Sequence, residues 1–128
     1  MKKAQIIAGA LLGVLFLVFG LNFFLQFIPI PQPPEGSPPA MFMGAMYTTG
    51  FLAFVKVLEI AGGLLVAIPR TRLIGLLILT PVIVNIVAFH VFITGGAGMF
   101  DPPVVLVTLL AAFLIWSHRK NVAVLLKP

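Results

Sequence analysis

The chain has 128 residues, of which 61% are hydrophobic and 9% are charged. An ordinary soluble domain has roughly 25% charged residues, and a fold of this length in water has no means of burying so much apolar surface. The composition therefore excludes a soluble globular protein. It predicts a single domain over residues 1–128 whose main partner is the lipid bilayer.

The net charge of +5 is distributed in a way that argues against nucleic-acid binding. Nearly all basic residues stand at the ends of apolar segments, and no basic run is interleaved with aromatic residues. The chain also contains no cysteine. This absence excludes disulfides, thiol catalysis, iron–sulfur clusters and thiolate metal sites.

Four apolar segments predict four transmembrane helices, since a helix needs about 20 apolar residues to cross a bilayer. They cover about residues 6–28, 48–68, 73–94 and 102–117. The fourth segment is short and is expected to tilt little or to thin the bilayer. The chain is therefore predicted to be all-α, an integral membrane antiparallel four-helix bundle.

Prolines and one acidic residue mark the ends and a bend of these helices. Pro69 is expected to end the second helix, because proline disfavours helical geometry in the residue before it. Asp101 is expected to cap the fourth helix, with Pro102 at its first position. Pro81 lies inside the third segment, where it should leave the carbonyl of Leu77 without a partner and bend the helix.

The distribution of lysine and arginine predicts the orientation. Seven of the eight lie in the N-terminus, in the loop near residues 69–72 or in the C-terminus. With four helices these three regions share one side, and the two remaining loops contain neither lysine nor arginine. The positive-inside rule therefore predicts a multi-pass protein of the bacterial inner membrane with both termini in the cytoplasm.

The first outer loop is rich in proline and is expected to be stiff. It contains six prolines between residues 29 and 39, which favours a polyproline-like conformation. Residues 40–46 are apolar but too few to span, and they predict a short interfacial helix or one tucked over the mouth of the bundle. This helix either only shields the bundle or acts as a lid, for which its methionines provide an adaptable apolar surface.

Two charged residues, Lys56 and Glu59, lie well inside the second segment. A charge at the centre of a membrane helix costs roughly 2.5–3.5 kcal/mol on insertion scales, so neither side chain is expected to face lipid. They are three positions apart on one helix, which allows them to form an ion pair facing the bundle interior.

Three more polar residues are predicted near that pair. At a rise of 1.5 Å per residue, all of them fall in the middle and outer half of the bundle, which predicts a polar pocket opening outward. The candidate site comprises Lys56, Glu59, Asn85, Asn22 and His90. A structural explanation stays open for each: the ion pair would pin helix packing, the asparagines would hydrogen-bond between helices, and the histidine would be solvated near the interface.

The sequence assigns no residue a catalytic or metal-binding role. His90 is expected near the outer end of the third helix and His118 at the inner end of the fourth, on opposite sides of the membrane. This separation excludes a bis-histidine haem. Glu59 is the single acidic residue predicted within the membrane, so there is no carboxylate pair and no set with metal-ligand spacing. No cofactor is expected, apart from a quinone. The Lys56–Glu59 pair is suited to bind a proton, an anion or a polar group such as a quinone carbonyl.

Several short stretches occur together in a characteristic order. They are residues 19–24 (FGLNFF), 42–46 (FMGAM), 55–65 (VKVLEIAGGLL), 69–72 (PRTR), 81–86 (PVIVNI) and 89–90 (FH). In this order and spacing the sequence resembles the DoxX-like family of small bacterial membrane proteins over most of its length. The resemblance implies a four-helix membrane fold, and many members of that family have no assigned activity.

The resemblance also implies a redox association. Relatives include membrane partners of thiosulfate–quinone oxidation and of amine dehydrogenase maturation, although a thiol relay does not carry over to a chain without cysteine. We therefore predict a non-enzymatic membrane subunit or anchor, without stand-alone activity, that associates with a membrane or periplasmic redox partner and is able to oligomerise. The alternative is a quinone- or lipid-binding membrane protein with its pocket in the outer half of the bundle.

Overall fold

A computed structural model describes residues 2–127, which fold into six α-helices without a β-strand. The helices are α1 (Lys2–Leu25), α2 (Pro38–Thr48), α3 (Phe51–Ala67), α4 (Arg72–Ala88), α5 (Pro102–Ser117) and α6 (Arg119–Leu125). A 3-10 turn, Pro69–Thr71, precedes α4, and a π-helical turn, Phe89–Ile93, follows it. The predicted all-α class is confirmed for this part of the chain.

Two helical segments, Lys2–Leu25 and Pro69–Ile93, are long and apolar enough to cross a membrane. Two bent helix pairs satisfy the same criterion jointly: α2 with α3, at 82°, and α5 with α6, at 76°. By length and composition, the described residues therefore supply two helices able to span a membrane, or up to four if each bent pair is one span.

The first and second helices differ most from the predicted segments, and the first already begins at Lys2. The first helix ends at Leu25, because Gln26 takes a left-handed backbone conformation with φ of 52°. The second segment is divided at Gly50, whose φ of 81° turns the chain between α2 and α3. The short helix predicted near residues 40–46 is present as the longer α2.

Proline acts at the helix ends much as predicted, with one correction. The second membrane segment stops at Ala67 before Pro69, whereas Pro81 lies inside α4 without ending it. Asp101 occupies the N-cap position of α5 with Pro102 after it, as predicted, but its side chain makes no capping hydrogen bond. Pro102 and Pro103 both lack an N–H group, which removes donors that a capping carboxylate would use.

Four helices pack side by side in a closed arrangement. Helix α1 packs against α3 and α5, and α4 packs against the same two helices. A Cβ atom on Gly13 would lie 2.5 Å from the carbonyl oxygen of Gly63, and one on Gly20 would lie 2.7 Å from Cγ1 of Ile60. These contacts show that α1 and α3 are antiparallel and that glycine allows their backbones to approach closely.

The helices are apolar on both their inner and outer faces. The largest fully buried side chains are Leu12, Val66, Leu79 and Leu114, one from each of the four packed helices. Large apolar side chains also cover the outer surface, with Leu11, Leu64, Leu77 and Leu109 all more than half exposed. A helix that is hydrophobic all round belongs in lipid, so the packing agrees with the composition.

Candidate functional site

Lys56 and Glu59 form an ion pair on α3. The ammonium nitrogen of Lys56 lies 3.4 Å from both carboxylate oxygens of Glu59, one helical turn away. The Glu59 side chain is 6% exposed and that of Lys56 is 22% exposed. The acid is therefore buried in the packed helices, while the base reaches a more open region.

A cavity of about 700 Å³ lies beside this pair, between α1, α2, α3, α4 and α5. Its wall is mostly apolar, with Phe16, Met46, Leu58 and Val107 among the side chains that line it. Four of the five residues predicted for the site border this cavity: Lys56, Glu59, Asn85 and His90. We refer to it as the inner cavity.

Asn22 is the one predicted site residue that lies elsewhere. Its side-chain amide donates to the carbonyl oxygen of Ile28 at 3.0 Å, and its carbonyl accepts from the N–H of Ile28 at 2.7 Å. It is buried, and both ends of its amide close the turn that follows α1. Its role is local, because the left-handed Gln26 folds the chain back over it.

A second cavity, of about 750 Å³, lies under the proline-rich loop. Asn22, Gln26, Gln32 and Tyr47 contribute polar groups to its wall. We call it the outer vestibule, because it lies at the end of the molecule that carries this loop. Lys56 borders both cavities, as do Phe19, Met43 and Leu52. The two cavities thus meet at Lys56.

Asn85 and His90 reach the inner cavity from the end of α4. The Asn85 side chain is exposed, and its Nδ2 donates to the carbonyl oxygen of Pro81 at 2.9 Å. His90 lies in the π-helical turn, with Nδ1 at 2.8 Å from the carbonyl oxygen of Ile86. A carbonyl oxygen accepts, so Nδ1 carries a hydrogen and donates it, which leaves Nε2 for another partner.

The Nε2 side of His90 faces the loop before α5. A Cβ atom on Gly98 would lie 3.6 Å from that nitrogen and 3.0 Å from Oδ2 of Asp101. Gly98 has a φ of 73°, a conformation that favours glycine, and it lets this loop pack closely between the two side chains. His90 therefore lies at the edge of the inner cavity, next to an acidic residue of the loop.

Arg72 is a buried residue whose role the sequence did not reveal. The loop position suggested a marker of orientation, but the residue is 3% exposed. Its Nε donates to the carbonyl oxygen of Val66 at 3.0 Å and its Nη2 to that of Ala67 at 3.4 Å. The guanidinium also packs against Gly9 of α1. It caps the C-terminal end of α3, where a cation is favoured.

The arrangement has the features of a binding site. Within residues 2–127 no group of three His, Asp or Glu side chains is placed to hold a metal ion. The inner cavity combines apolar walls with the polar side chains of Lys56, Glu59, Asn85 and His90. Such a surface suits a molecule with an apolar body and one polar end.

Compared with known proteins, the chain matches no family model, no curated protein and no solved structure. Membership of the DoxX-like family therefore stays a prediction. The two cavities and the ion pair between them are the features on which a function rests.

Proposed function

We propose that this chain is a DoxX-like membrane protein that binds a quinone or a lipid in the inner cavity. In this proposal α1, α3, α4 and α5 form an antiparallel four-helix bundle across the bilayer. The closed arrangement of these helices and their apolar outer faces support it. Helices α3 and α5 have 17 and 16 residues, which is short for a span and implies a thin bilayer around them.

The proposed location is the bacterial inner membrane, with the basic end of the bundle in the cytoplasm. The contact between Gly9 and Arg72 joins the start of α1 to the connection between α3 and α4. Helix α5 returns antiparallel to α4, since its first turn shares the inner cavity with Phe89 and His90. The N-terminal, Arg70 and C-terminal basic residues thus share one end, as the positive-inside rule requires.

The inner cavity is the observation that carries the binding function. Its volume of about 700 Å³ lies in the range of about 300–1,000 Å³ that is usual for small-molecule sites. Charged residues at membrane depth are expensive and usually serve a pathway or a site, and Lys56 and Glu59 both border this space. The polar end of a ligand would accept a hydrogen bond from Lys56 while its body lies against the apolar wall.

The route into the cavity leads from the bilayer. Phe54, Leu77 and Asn85 line the cavity and are also exposed on the outer surface of α3 and α4. The cavity therefore reaches the surface beside these two helices, and in the proposed architecture this opening would face the acyl chains of the bilayer. A quinone or lipid dissolved in the membrane would enter there without passing through water.

Extraction of the purified protein tests this function. Protein solubilised gently from native membranes is expected to carry a stoichiometric quinone or lipid, identified by mass spectrometry of a solvent extract. Leu58→Trp fills the inner cavity and should abolish the bound molecule, while Leu64→Trp places the same ring on the lipid-facing side of α3. Empty wild-type protein, or equal occupancy in both variants, would refute the proposal.

The second candidate is a non-enzymatic subunit that anchors a redox partner. It is favoured by two aromatic side chains near the end of α4 and before α5, Phe92 at 80% and Phe100 at 86% exposure. A stoichiometric partner carrying a redox cofactor is expected to co-purify and to be lost in a Phe92→Ala/Phe100→Ala variant. Phe24→Ala, which changes an exposed ring on α1 that borders neither cavity, is the matched control. Protein that emerges alone under these conditions argues against this candidate.

A further inference from the structure

Helix α6 leaves α5 at a sharp angle at the basic end of the molecule. The two helices are bent by 76° across His118. Since α5 is a span in the proposed architecture, α6 runs nearly parallel to the membrane surface. This inference rests on that architecture but not on the ligand of the inner cavity.

The end of α5 holds Arg119 in a defined position. Nη1 of Arg119 donates to the carbonyl oxygen of Trp116 at 2.9 Å, and the guanidinium carbon lies 4.6 Å from the centre of the Trp116 ring. The guanidinium thus stacks on the indole, an arrangement worth about 0.5–1 kcal/mol at exposed sites. Its remaining N–H groups are left for another acceptor, because a guanidinium has five donors.

The surface of α6 combines cationic and apolar side chains. Lys120 is exposed beside Arg119, and Lys127 follows the helix. Three aliphatic side chains are also strongly exposed: Val124 at 64%, Leu125 at 53% and Leu126 at 82%. A helix with this composition at the end of a span belongs in the boundary between head groups and acyl chains.

The acidic residues of the chain lie away from this end. Glu35 is in the proline-rich loop, Glu59 is paired within α3, and Asp101 precedes α5 at its opposite end. Among residues 2–127, no acidic side chain therefore pairs with the basic residues around α6. Juxtamembrane basic residues attract anionic lipids, and a guanidinium binds phosphate oxygens through two parallel N–H groups.

We propose that Arg119, Lys120 and the ring of Trp116 form a binding site for the phosphate of an anionic phospholipid. The guanidinium and the ammonium bind the head group, and the lipid's first acyl carbons pack against the indole. Val124 and Leu125 extend the apolar contact along α6. The site belongs to the leaflet at the basic end of the bundle and is separate from both cavities.

The single tryptophan of the chain makes this site directly measurable. The protein is reconstituted in phosphatidylcholine vesicles, and brominated phosphatidylglycerol or brominated phosphatidylcholine is added as a quencher. Fluorescence then reports on Trp116 alone. Brominated phosphatidylglycerol is expected to give the same quenching as brominated phosphatidylcholine at a lower mole fraction. The difference is about fivefold for each basic residue that binds the head group. The preference is the ratio of the quenching by the two brominated lipids within one variant, so that changes in the indole's own emission cancel.

Charge-matched variants separate a site from a diffuse basic surface. Arg119→Gln and Lys120→Gln are each expected to lower the preference for phosphatidylglycerol about fivefold. Arg70→Gln removes an exposed charge from the same end and should leave the preference unchanged. An equal fall in all three variants would overturn the site. Absence of quenching by either brominated lipid would instead show that the end of α5 does not reach the bilayer.

Discussion

The Nε atom of Arg72 donates to the carbonyl oxygen of Val66 at 3.0 Å, which ties the start of α4 to the last turn of α3. The same side chain lies against Gly9, so three helices meet at one buried cation. Hydrogen bonds from a charged donor are stronger than neutral ones, and an α3 carbonyl without this donor would be left poorly satisfied.

Replacing this arginine should therefore destabilise the fold. Arg72→Met is expected to lower the free energy of unfolding by at least about 2 kcal/mol, measured by thermal or denaturant unfolding in detergent. Arg70→Met changes an exposed neighbour and should have an effect within about 0.5 kcal/mol. Similar losses in the two variants would contradict the capping role.

The ion pair of Lys56 and Glu59 should show an asymmetric mutational pattern. Lys56→Met leaves a buried carboxylate without its partner, and breaking a buried pair in this way costs about 3–5 kcal/mol. Glu59→Leu should be milder, because Lys56 borders the outer vestibule and is able to turn toward it.

The double variant Lys56→Met/Glu59→Leu completes this cycle. It removes both charges and is expected to be more stable than Lys56→Met alone. Unfolding of all four proteins in the same detergent gives the coupling energy. If the double variant is the least stable of the set, the two residues do not act as a pair.

Two glycines with opposite surroundings should respond oppositely to the same change. A Cβ on Gly13 would lie 2.5 Å from the carbonyl oxygen of Gly63, and the backbone of α3 must then move. Gly13→Ala is expected to destabilise by about 1–3 kcal/mol. Gly44 of α2 faces open space, so Gly44→Ala should stabilise by up to about 1 kcal/mol through helix propensity. Unfolding in detergent compares the two, and stabilisation by Gly13→Ala would exclude close contact of α1 and α3.

The absence of cysteine allows the orientation to be tested with single cysteines. Tyr47→Cys lies at the end of α2 and Asn121→Cys on α6, and both positions are exposed. A membrane-impermeant maleimide applied to intact spheroplasts should label the first, and should label the second only after permeabilisation. The reverse pattern would invert the proposed topology. Labelling of both in intact spheroplasts would place the two positions on the same side, which contradicts the three spans proposed between them.

Features encoded by neighbouring residues were predictable from the sequence. The bounds of α5 agree with the predicted segment 102–117, because proline begins it and polar residues end it. The spacing of Lys56 and Glu59 brings both onto one face of any helix, so their contact follows from the sequence alone.

Features that depend on distant contacts were not predictable. Burial of Arg72 requires Gly9, which lies 63 positions earlier in the chain and becomes its neighbour only when α1 packs. Asn22 was expected to bond between helices, but its partner is Ile28. The turn that brings Ile28 to it depends on a left-handed conformation at Gln26, which is not a glycine and so gives no signal in the sequence. The turn into α6 depends on how side chains of residues 117–119 bond the last carbonyls of α5.

The position of Lys56 between two compartments has a thermodynamic consequence. A molecule in the outer vestibule that draws the ammonium group toward itself withdraws it from Glu59 and from the inner cavity. Occupancy of one compartment then changes the affinity of the other, and the effect must be reciprocal. One side chain would thus couple the occupancy of the outer vestibule to that of the inner cavity, without any movement of the helices.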